Sequence, residues 1–340
     1  MTMMTKTHRR LGILLAAQVL LAALLGWWQW REPASAAGQP LLAFDKSAVD
    51  KLVIEGPDKS RVELLRKAST DGKSATWQVA QAGDFAADAS QVDQLVGRLH
   101  GVAAGAPVAT SAEAAERFRV ADAAFERRIT VESGGKPLAT LLLGSSQGAR
   151  QTYARKAGAS EVHAIDLAAH EVPAKADDWL DKAALRTPLS EIVGIAVDGF
   201  ELTRAARPDV ATSSASAAAS AVPGAAAPSW QAQGLKPHER VDSAAADRLA
   251  QALADVRFNG LRGRDEQARK DLGPVELLVA VRRRDGQRVD YTLRRLPAGD
   301  ERALLVSNRP ETFTLTQAQA KALSDAAARK ALVSAPSAAK

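Results

Sequence analysis

The chain has 340 residues, a formal net charge of +6 and no cysteine. The absence of cysteine excludes disulfides, thiolate metal sites and cysteine nucleophiles, and an aromatic content of 4% disfavours large aromatic-lined pockets. Half of the net charge lies in residues 1–32, so the rest of the chain is nearly balanced and does not point to nucleic acid. The length is enough for about two domains.

Residues 11–30 form an uncharged apolar run, LGILLAAQVLLAALLGWWQW, that predicts a single transmembrane helix. At a rise of ~1.5 Å per residue, about 20 residues span the ~30 Å hydrocarbon core of a bilayer. Residues 1–10 form a basic tail, and the positive-inside rule predicts that this tail is cytoplasmic. The prediction is a single-pass membrane protein with a cytoplasmic N-terminus and an exported body.

A cleaved export signal is the alternative interpretation of this run. Ala34, Ser35 and Ala36 offer the small residues that a signal peptidase reads, and cleavage there would produce a mature chain beginning at Ala37. The run exceeds the usual ~7–15 apolar residues of a signal peptide, which favours a retained anchor. Both alternatives export the body.

Residues 41–187 are predicted to form a first repeat unit after a small-residue spacer at residues 31–40. It begins with a three-stranded antiparallel meander. A helix follows, because apolar residues recur at helical spacing over residues 92–99 and Asp88 is placed to cap the free amides. The predicted strands lie at residues 49–54, 61–66, 77–79, 125–131, 138–143, 151–155 and 161–165, and a short helical pattern lies at 177–184.

Residues 188–323 repeat this pattern and are predicted to be the second unit of an internal duplication. The helix matches best, because one constant offset carries five residues onto identical ones without a gap. It carries Asp88, Asp93, Leu95, Leu99 and Val102 onto Asp242, Asp247, Leu249, Leu253 and Val256. The predicted strands of this unit lie at residues 192–197, 200–204, 230–231, 275–283, 289–295, 302–306 and 312–314.

Two low-complexity stretches complete the organisation of the chain. An Ala/Ser/Pro insertion at residues 208–228 has almost nothing to bury, so a disordered loop is predicted there. The Ala-rich end, residues 324–340, is predicted to fray. The predicted fold class is α+β, with an N-terminal transmembrane helix and two duplicated units, each a mainly antiparallel sheet with a packed helix.

Several short patterns follow the apolar run in a fixed order: a duplicated V-x-x-L-x-I strand, a W-x-V strand, the capped helix, and a Leu-Gly turn leading to Tyr153. In this order they resemble the bacterial family called domain of unknown function 4340, over essentially the whole exported part. The family's Gly-Leu pair before the strand that follows the helix is replaced by Arg119-Val120 in the first unit, and the second unit has Leu272-Gly273-Pro274. The resemblance implies an accessory role in the envelope beside ABC-type export systems, including gliding-motility-like ones.

Residues 144–148, GSSQG, match the G-x-S-x-G pattern of a nucleophile elbow and suggest a hydrolase that depends on Ser146. An elbow needs a helix directly after the serine, whereas residues 151–155 alternate like a returning strand. We therefore predict a hairpin turn and no catalytic residue.

One local group of residues has side chains that could bind a metal, namely His163, Asp166, His170 and Glu171. The i, i+7 spacing of the two histidines fits no metal motif, and a site needs three or four converging ligands. His100 and His238 are isolated, so they do not indicate catalysis. No metal site is predicted.

A basic hairpin is predicted from six arginines, Arg282, Arg283, Arg284, Arg288, Arg294 and Arg295. Binding of single-stranded nucleic acid would need interleaved aromatic residues, and only Tyr291 is nearby. The hairpin is predicted to be solvated, or to face anionic headgroups or an acidic partner. No Gly-rich phosphate loop is present, so no cofactor is predicted and any use of ATP would belong to a partner.

These observations favour a non-enzymatic membrane-anchored protein, an accessory or scaffold subunit of an ABC-type transport complex with protein partners. One alternative is a periplasmic binding protein for an envelope polymer, which needs a groove lined with polar and aromatic side chains. The other is the hydrolase that depends on Ser146. No catalytic, cofactor-binding or metal residue is assigned, and no small-molecule ligand or nucleic acid is predicted.

Overall fold

A computed structural model describes residues 40–68, 75–148, 151–204 and 230–334. The predicted anchor at residues 11–30, the predicted insertion at 208–228 and the last six residues lie outside these ranges. Within the described ranges, no helix is long and apolar enough to cross a membrane.

The described residues form six α-helices, twenty strands and several short 3₁₀ helices. The helices are α1 (Ala89–Gly101), α2 (Ala112–Arg117), α3 (Ser243–Ala254), α4 (Glu266–Arg269), α5 (Gln317–Ala327) and α6 (Arg329–Leu332). The strands are β1 (Lys51–Glu55), β2 (Arg61–Ala68), β3 (Ala75–Val79), β4 (Phe85–Ala86), β5 (Val120–Ala121), β6 (Ala124–Phe125), β7 (Arg127–Ser133), β8 (Lys136–Gln147), β9 (Gln151–Lys156), β10 (Val162–Ile165), β11 (Ile192–Val197), β12 (Phe200–Arg204), β13 (Trp230–Gln233), β14 (Arg240–Val241), β15 (Gly260–Gly263), β16 (Val275–Arg283), β17 (Arg288–Arg295), β18 (Arg302–Val306), β19 (Thr312–Leu315) and β20 (Val333–Ser334). The 3₁₀ helices lie at Lys46–Ala48, Ala80–Ala82, Ala169–Glu171, Ala176–Trp179 and Leu189–Glu191.

Contacts along the chain divide it into two compact units. Of the residues that the structure describes, those within Met1–Ala75 and Ser90–Lys175 form unit 1, and those within Thr76–Ala89 and Ala176–Lys340 form unit 2. The sequence pattern placed the end of the first repeat at residue 187, whereas contact groups residues 176–187 with unit 2. The boundary between the two sequence repeats stays a prediction.

Unit 1 contains an antiparallel sheet with strand order β10-β9-β8-β7-β1-β2. Strand β1, which pairs with β7 and β2, buries Leu52 and Ile54 completely. Lys51 lies on the opposite face, where its Nζ is 2.9 Å from Glu63 and 3.6 Å from Glu132 on the flanking strands. One face of the sheet therefore packs into the core, and the other face carries the charged residues.

Unit 2 contains a sheet with strand order β13-β12-β11-β16-β17-β18-β19-β15. Six of its strands, β12-β11-β16-β17-β18-β19, follow the same order as β2-β1-β7-β8-β9-β10 of unit 1. Helix α3 contacts β11 and α5, and the predicted cap is confirmed because the Asp242 side chain accepts from the Ala245 amide. The coarse fold prediction, mixed helices with two large antiparallel sheets, is confirmed.

Three local predictions differ from the structure. Helix α2 lies between the predicted helix and the predicted strand at residues 125–131, where no element was predicted, since its six residues are too few to show apolar periodicity, although Ser111 caps it. The helical pattern at residues 177–184 forms only the 3₁₀ turn Ala176–Trp179. The predicted fraying is wrong as far as residue 334, because Leu332 is fully buried and β20 pairs with β14.

Candidate functional site

Ser146 lies in a strand of a hairpin. It belongs to β8 and is opposite Thr152 of β9, so the returning strand predicted after residue 150 is confirmed. The helix that a nucleophile elbow requires is replaced by β9. Ser146 is exposed, and among the described residues it has no hydrogen bond to a histidine or a carboxylate.

Packing explains the first glycine of the G-x-S-x-G pattern. A Cβ atom on Gly144 would lie 2.0 Å from the carbonyl oxygen of Phe118 and 2.7 Å from that of Arg119. The Ser145 amide donates to the same Phe118 oxygen across 2.9 Å. Gly144 is therefore needed for close backbone approach, which accounts for the glycine without catalysis.

His163 is a buried histidine with a structural partner. Its side chain is 8% exposed, and its Nδ1 lies 2.9 Å from the carbonyl oxygen of Gly105. Because a carbonyl accepts hydrogen bonds, this contact places the ring proton on Nδ1. In the part of the chain that the structure describes, no group of three or more His, Asp or Glu residues could hold a metal ion.

In unit 1, Arg98 is hydrogen-bonded to Asp166 and Glu171, the two acidic residues of the group considered as metal ligands in the sequence. Its Nη2 donates to Glu171 Oε2 across 3.1 Å and to the Asp166 carbonyl across 2.9 Å. Its Nη1 bonds to the other carboxylate oxygen of Glu171, and the Ala168 amide donates to Oε2. The Arg98 hydrogen bond is the main reason that the pKa of Glu171 is lowered. Glu171 is thus held as a structural carboxylate.

The predicted basic hairpin consists of β16 and β17, and acids or carbonyls of unit 2 compensate most of its arginines. Its close ion pairs are Arg282–Glu201 (2.9 Å), Arg288–Asp290 (2.8 Å) and Arg295–Glu276 (3.0 Å). The carbonyl contacts are Arg284 to Ser190 (3.3 Å) and Arg294 to Gly273 (2.9 Å). This compensation disfavours a free basic surface of the kind that binds nucleic acid.

Arg283 differs from the other five arginines because it lies on the same face of β16 as the buried Val279 and Val281, and its side chain is 29% exposed. It lines a cavity of about 110 Å³ together with Tyr291 and Arg309. Tyr291 is 5% exposed. We call this space the arginine cavity; its remaining lining residues are Ala184, Leu185, Arg186, Thr187, Pro188, Val281, Val289, Val306 and Asn308.

Comparison with known proteins gives one family. Residues 77–275 match the family model described as Domain of unknown function (DUF4340), which is more than half of the chain. The chain belongs to the DUF4340 family. The resemblance inferred from the sequence is confirmed. No curated protein and no solved structure matches the chain.

Sequence reasoning on this DUF4340 chain did not find the arginine cavity. Thr187 and Arg309 are far apart in the chain and belong to no spacing motif, so only folding brings them to one space. One signal was available within β16. Val279 and Val281 alternate on the buried face, and Arg283 continues the same register, which places its charge on that face.

Proposed function

We propose that this DUF4340 chain is a membrane-anchored protein of the bacterial envelope that acts by binding other proteins and catalyses no reaction. A single helix at residues 11–30 holds it in the inner membrane, with a cytoplasmic N-terminus and a periplasmic body. The observation that carries the proposal is the uncharged run preceded by Lys6, Arg9 and Arg10, which matches both the length and the charge asymmetry of a single-pass anchor.

The sites that the sequence suggested support the non-catalytic part of the proposal. A chemical site needs a nucleophile or a metal together with a positioned base. Ser146 lies in a hairpin strand, His163 bonds to a backbone carbonyl, and Glu171 is paired with Arg98. The placement of these three side chains therefore supports a role without catalysis.

The partner is an ABC-type transport complex, which the protein serves as an accessory or scaffold subunit. This part of the proposal rests on the family resemblance and on the anchor, because a tethered body meets a membrane complex at a high effective concentration. Each unit also contains one large sheet, which offers a broad surface for protein contact.

Crosslinking in native membranes tests the proposal with the full chain. In one variant both Leu20 and Leu21 are replaced by arginine, which costs about 2.5–3.5 kcal/mol per residue at the centre of a membrane helix. The matched control replaces both with isoleucine. We expect the wild type and the control to stay in the membrane after alkaline extraction and to crosslink to transport subunits, and the arginine variant to lose both properties.

Two results would contradict this proposal. Equal crosslinking by an exported arginine variant would favour a soluble binding protein. A wild type that crosslinks to no transport subunit would remove the accessory role, even if the anchor is retained.

A further inference from the structure

We propose that the arginine cavity of unit 2 binds a compact tetrahedral oxyanion, a phosphate or sulfate group. The proposal goes beyond the function proposed above, which assigns no ligand. It rests on the charges that line the cavity, on a buried donor with no partner, and on the size of the space.

The lining of the cavity is positively charged. It contains Arg186, Arg283 and Arg309 and no aspartate or glutamate. Arg186 is compensated from outside the lining, since its Nη2 lies 2.9 Å from Asp255. The other two guanidinium groups are compensated less or not at all.

Arg283 and Arg309 have weak or neutral partners. Among the described residues, the one ion pair of Arg283 joins its Nη1 to Asp285 Oδ2 across 4.0 Å. Arg309 donates to the carbonyl oxygen of Ala184 across 3.0 Å and forms no ion pair within the described part of the chain. Two guanidinium groups at one cavity without a close carboxylate attract an anion.

A buried donor of Arg283 also lacks a partner. Its Nε is shielded from solvent and has no hydrogen-bond acceptor among the described residues. Buried donors in native proteins are nearly always satisfied, and Nε with one Nη forms the fork that binds two oxygens of a phosphate or sulfate. An oxyanion in the cavity would give the Arg283 guanidinium group a charged partner.

Tyr291 adds a neutral donor at the same place. Its side chain is hydrogen-bonded to Thr187, and burial raises the pKa of its hydroxyl, while Arg283 and Arg309 act on it in the opposite direction. Arg283, Arg309 and Tyr291 line the same cavity. Because the hydroxyl stays protonated at neutral pH, it adds no negative charge to the cavity.

The size of the cavity limits the ligand. Its volume is about 110 Å³, whereas sites for drug-sized molecules have about 300–1,000 Å³. A tetrahedral oxyanion fits this space, and a nucleotide does not. Any larger molecule must place only its phosphate or sulfate group inside.

Titration of inorganic phosphate and sulfate into the full-length chain in detergent tests the site, with calorimetry and Tm as readouts at constant ionic strength. The variants are Arg283→Gln and Arg309→Gln. The matched control is Arg282→Gln, because Arg282 neighbours Arg283 but is exposed and paired with Glu201. We expect saturable binding by the wild type, at least tenfold weaker binding by each cavity variant, and a change below twofold in the control.

Arg309→Gln keeps the test decisive if Arg283→Gln does not fold. Absence of saturable binding would overturn the proposal. Equal weakening by all three variants, or tighter binding of acetate than of phosphate, would overturn it as well.

A second arm separates a lipid headgroup from a free ion. Short-chain phosphatidic acid below its micelle concentration is titrated beside inorganic phosphate. Tighter binding of the lipid, lost in Arg309→Gln, supports the site and assigns a headgroup. Tighter binding of inorganic phosphate with the same loss supports the site and assigns the free ion.

Discussion

The indole Nε1 of Trp230 donates a hydrogen bond to Asp247 Oδ1 across 2.9 Å, which joins strand β13 to helix α3 in unit 2. Trp230 is 4% exposed, and Arg204 lies over its ring and reaches the same carboxylate oxygen at 3.5 Å. Asp247 is one of the five helix residues that the second repeat shares with the first, where its counterpart is Asp93.

Replacing Asp247 with alanine is expected to destabilise unit 2, because the buried indole N–H loses its acceptor. Such a loss costs about 1–3 kcal/mol. Urea unfolding measures the change in the free energy of unfolding. In a Trp230→Phe background the same replacement should cost much less, and equal costs in the two backgrounds would show that the hydrogen bond contributes nothing.

The apolar face of α3 gives a second stability prediction. Leu249 and Leu253 are 0% and 1% exposed, so their predicted burial is confirmed. Leu253→Ala is expected to lower the free energy of unfolding by about 2–5 kcal/mol, through lost burial and the cavity it leaves. The control Arg248→Ala changes an exposed residue of the same helix and should stay within about 0.5 kcal/mol. Similar losses in both variants would contradict the packing described for α3.

Strands and long helices were predictable from this sequence because they carry strong periodic signals. The predicted strand 192–197 coincides with β11, and the pattern at residues 92–99 lies within α1, whose four apolar residues are buried. Short elements that depend on pairing with a neighbouring strand gave no such signal. Strand β15 has the sequence GLRG, and it forms because β19 offers it a hydrogen-bonding edge.

The structure around a candidate site could be predicted only where neighbouring residues in the sequence determine it. Residues 151–155, which follow Ser146, have the alternating pattern of a strand, so the hairpin could be predicted from the sequence. The arginine cavity depends on tertiary contact between residues of unit 2 that are distant in the chain, such as Thr187 and Tyr291. The charge of Arg283 was visible in the sequence, but the lack of a close counter-charge was not.

Gly144 and Ser146 should respond differently to substitution. Gly144→Ala is expected to destabilise unit 1, because its Cβ would meet the Phe118 carbonyl at 2.0 Å and the backbone would have to move. Overpacking of this kind typically costs about 1–3 kcal/mol. Ser146→Ala should leave both the free energy of unfolding and the crosslinking to transport subunits unchanged. Loss of that crosslinking in a folded, membrane-bound Ser146→Ala protein would restore the hydrolase as a candidate.

The Arg98–Glu171 pair predicts a dependence of stability on pH. Its hydrogen bond lowers the pKa of Glu171 in the folded state, so its stabilisation is present above the unfolded-state pKa of about 4.3. It is lost as the pH falls through the folded pKa. His170 and Asp166 also act on the pair.

Urea unfolding between about pH 6 and pH 3 measures this contribution, the range being set around the unfolded-state pKa. Glu171→Gln should lose less stability on acidification than the wild type, because the amide does not titrate. The control Glu113→Gln changes an exposed glutamate of α2 and should follow the wild type. Parallel curves for wild type and Glu171→Gln would show that the pair does not contribute.

The mass of the mature protein decides between the anchor and the cleaved signal. The uncharged run at residues 11–30 is longer than the apolar core of a signal peptide, so we expect the intact chain, with its N-terminal tail, in the membrane fraction. Mass spectrometry of that fraction is the measurement. A mature chain beginning at Ala37 would defeat the anchor but leave export intact. Ala36→Arg is the control, because signal peptidase requires small residues at its cleavage site and the substitution blocks cleavage there. If the wild type is not cleaved, the mass of this variant should differ from that of the wild type only by the substitution.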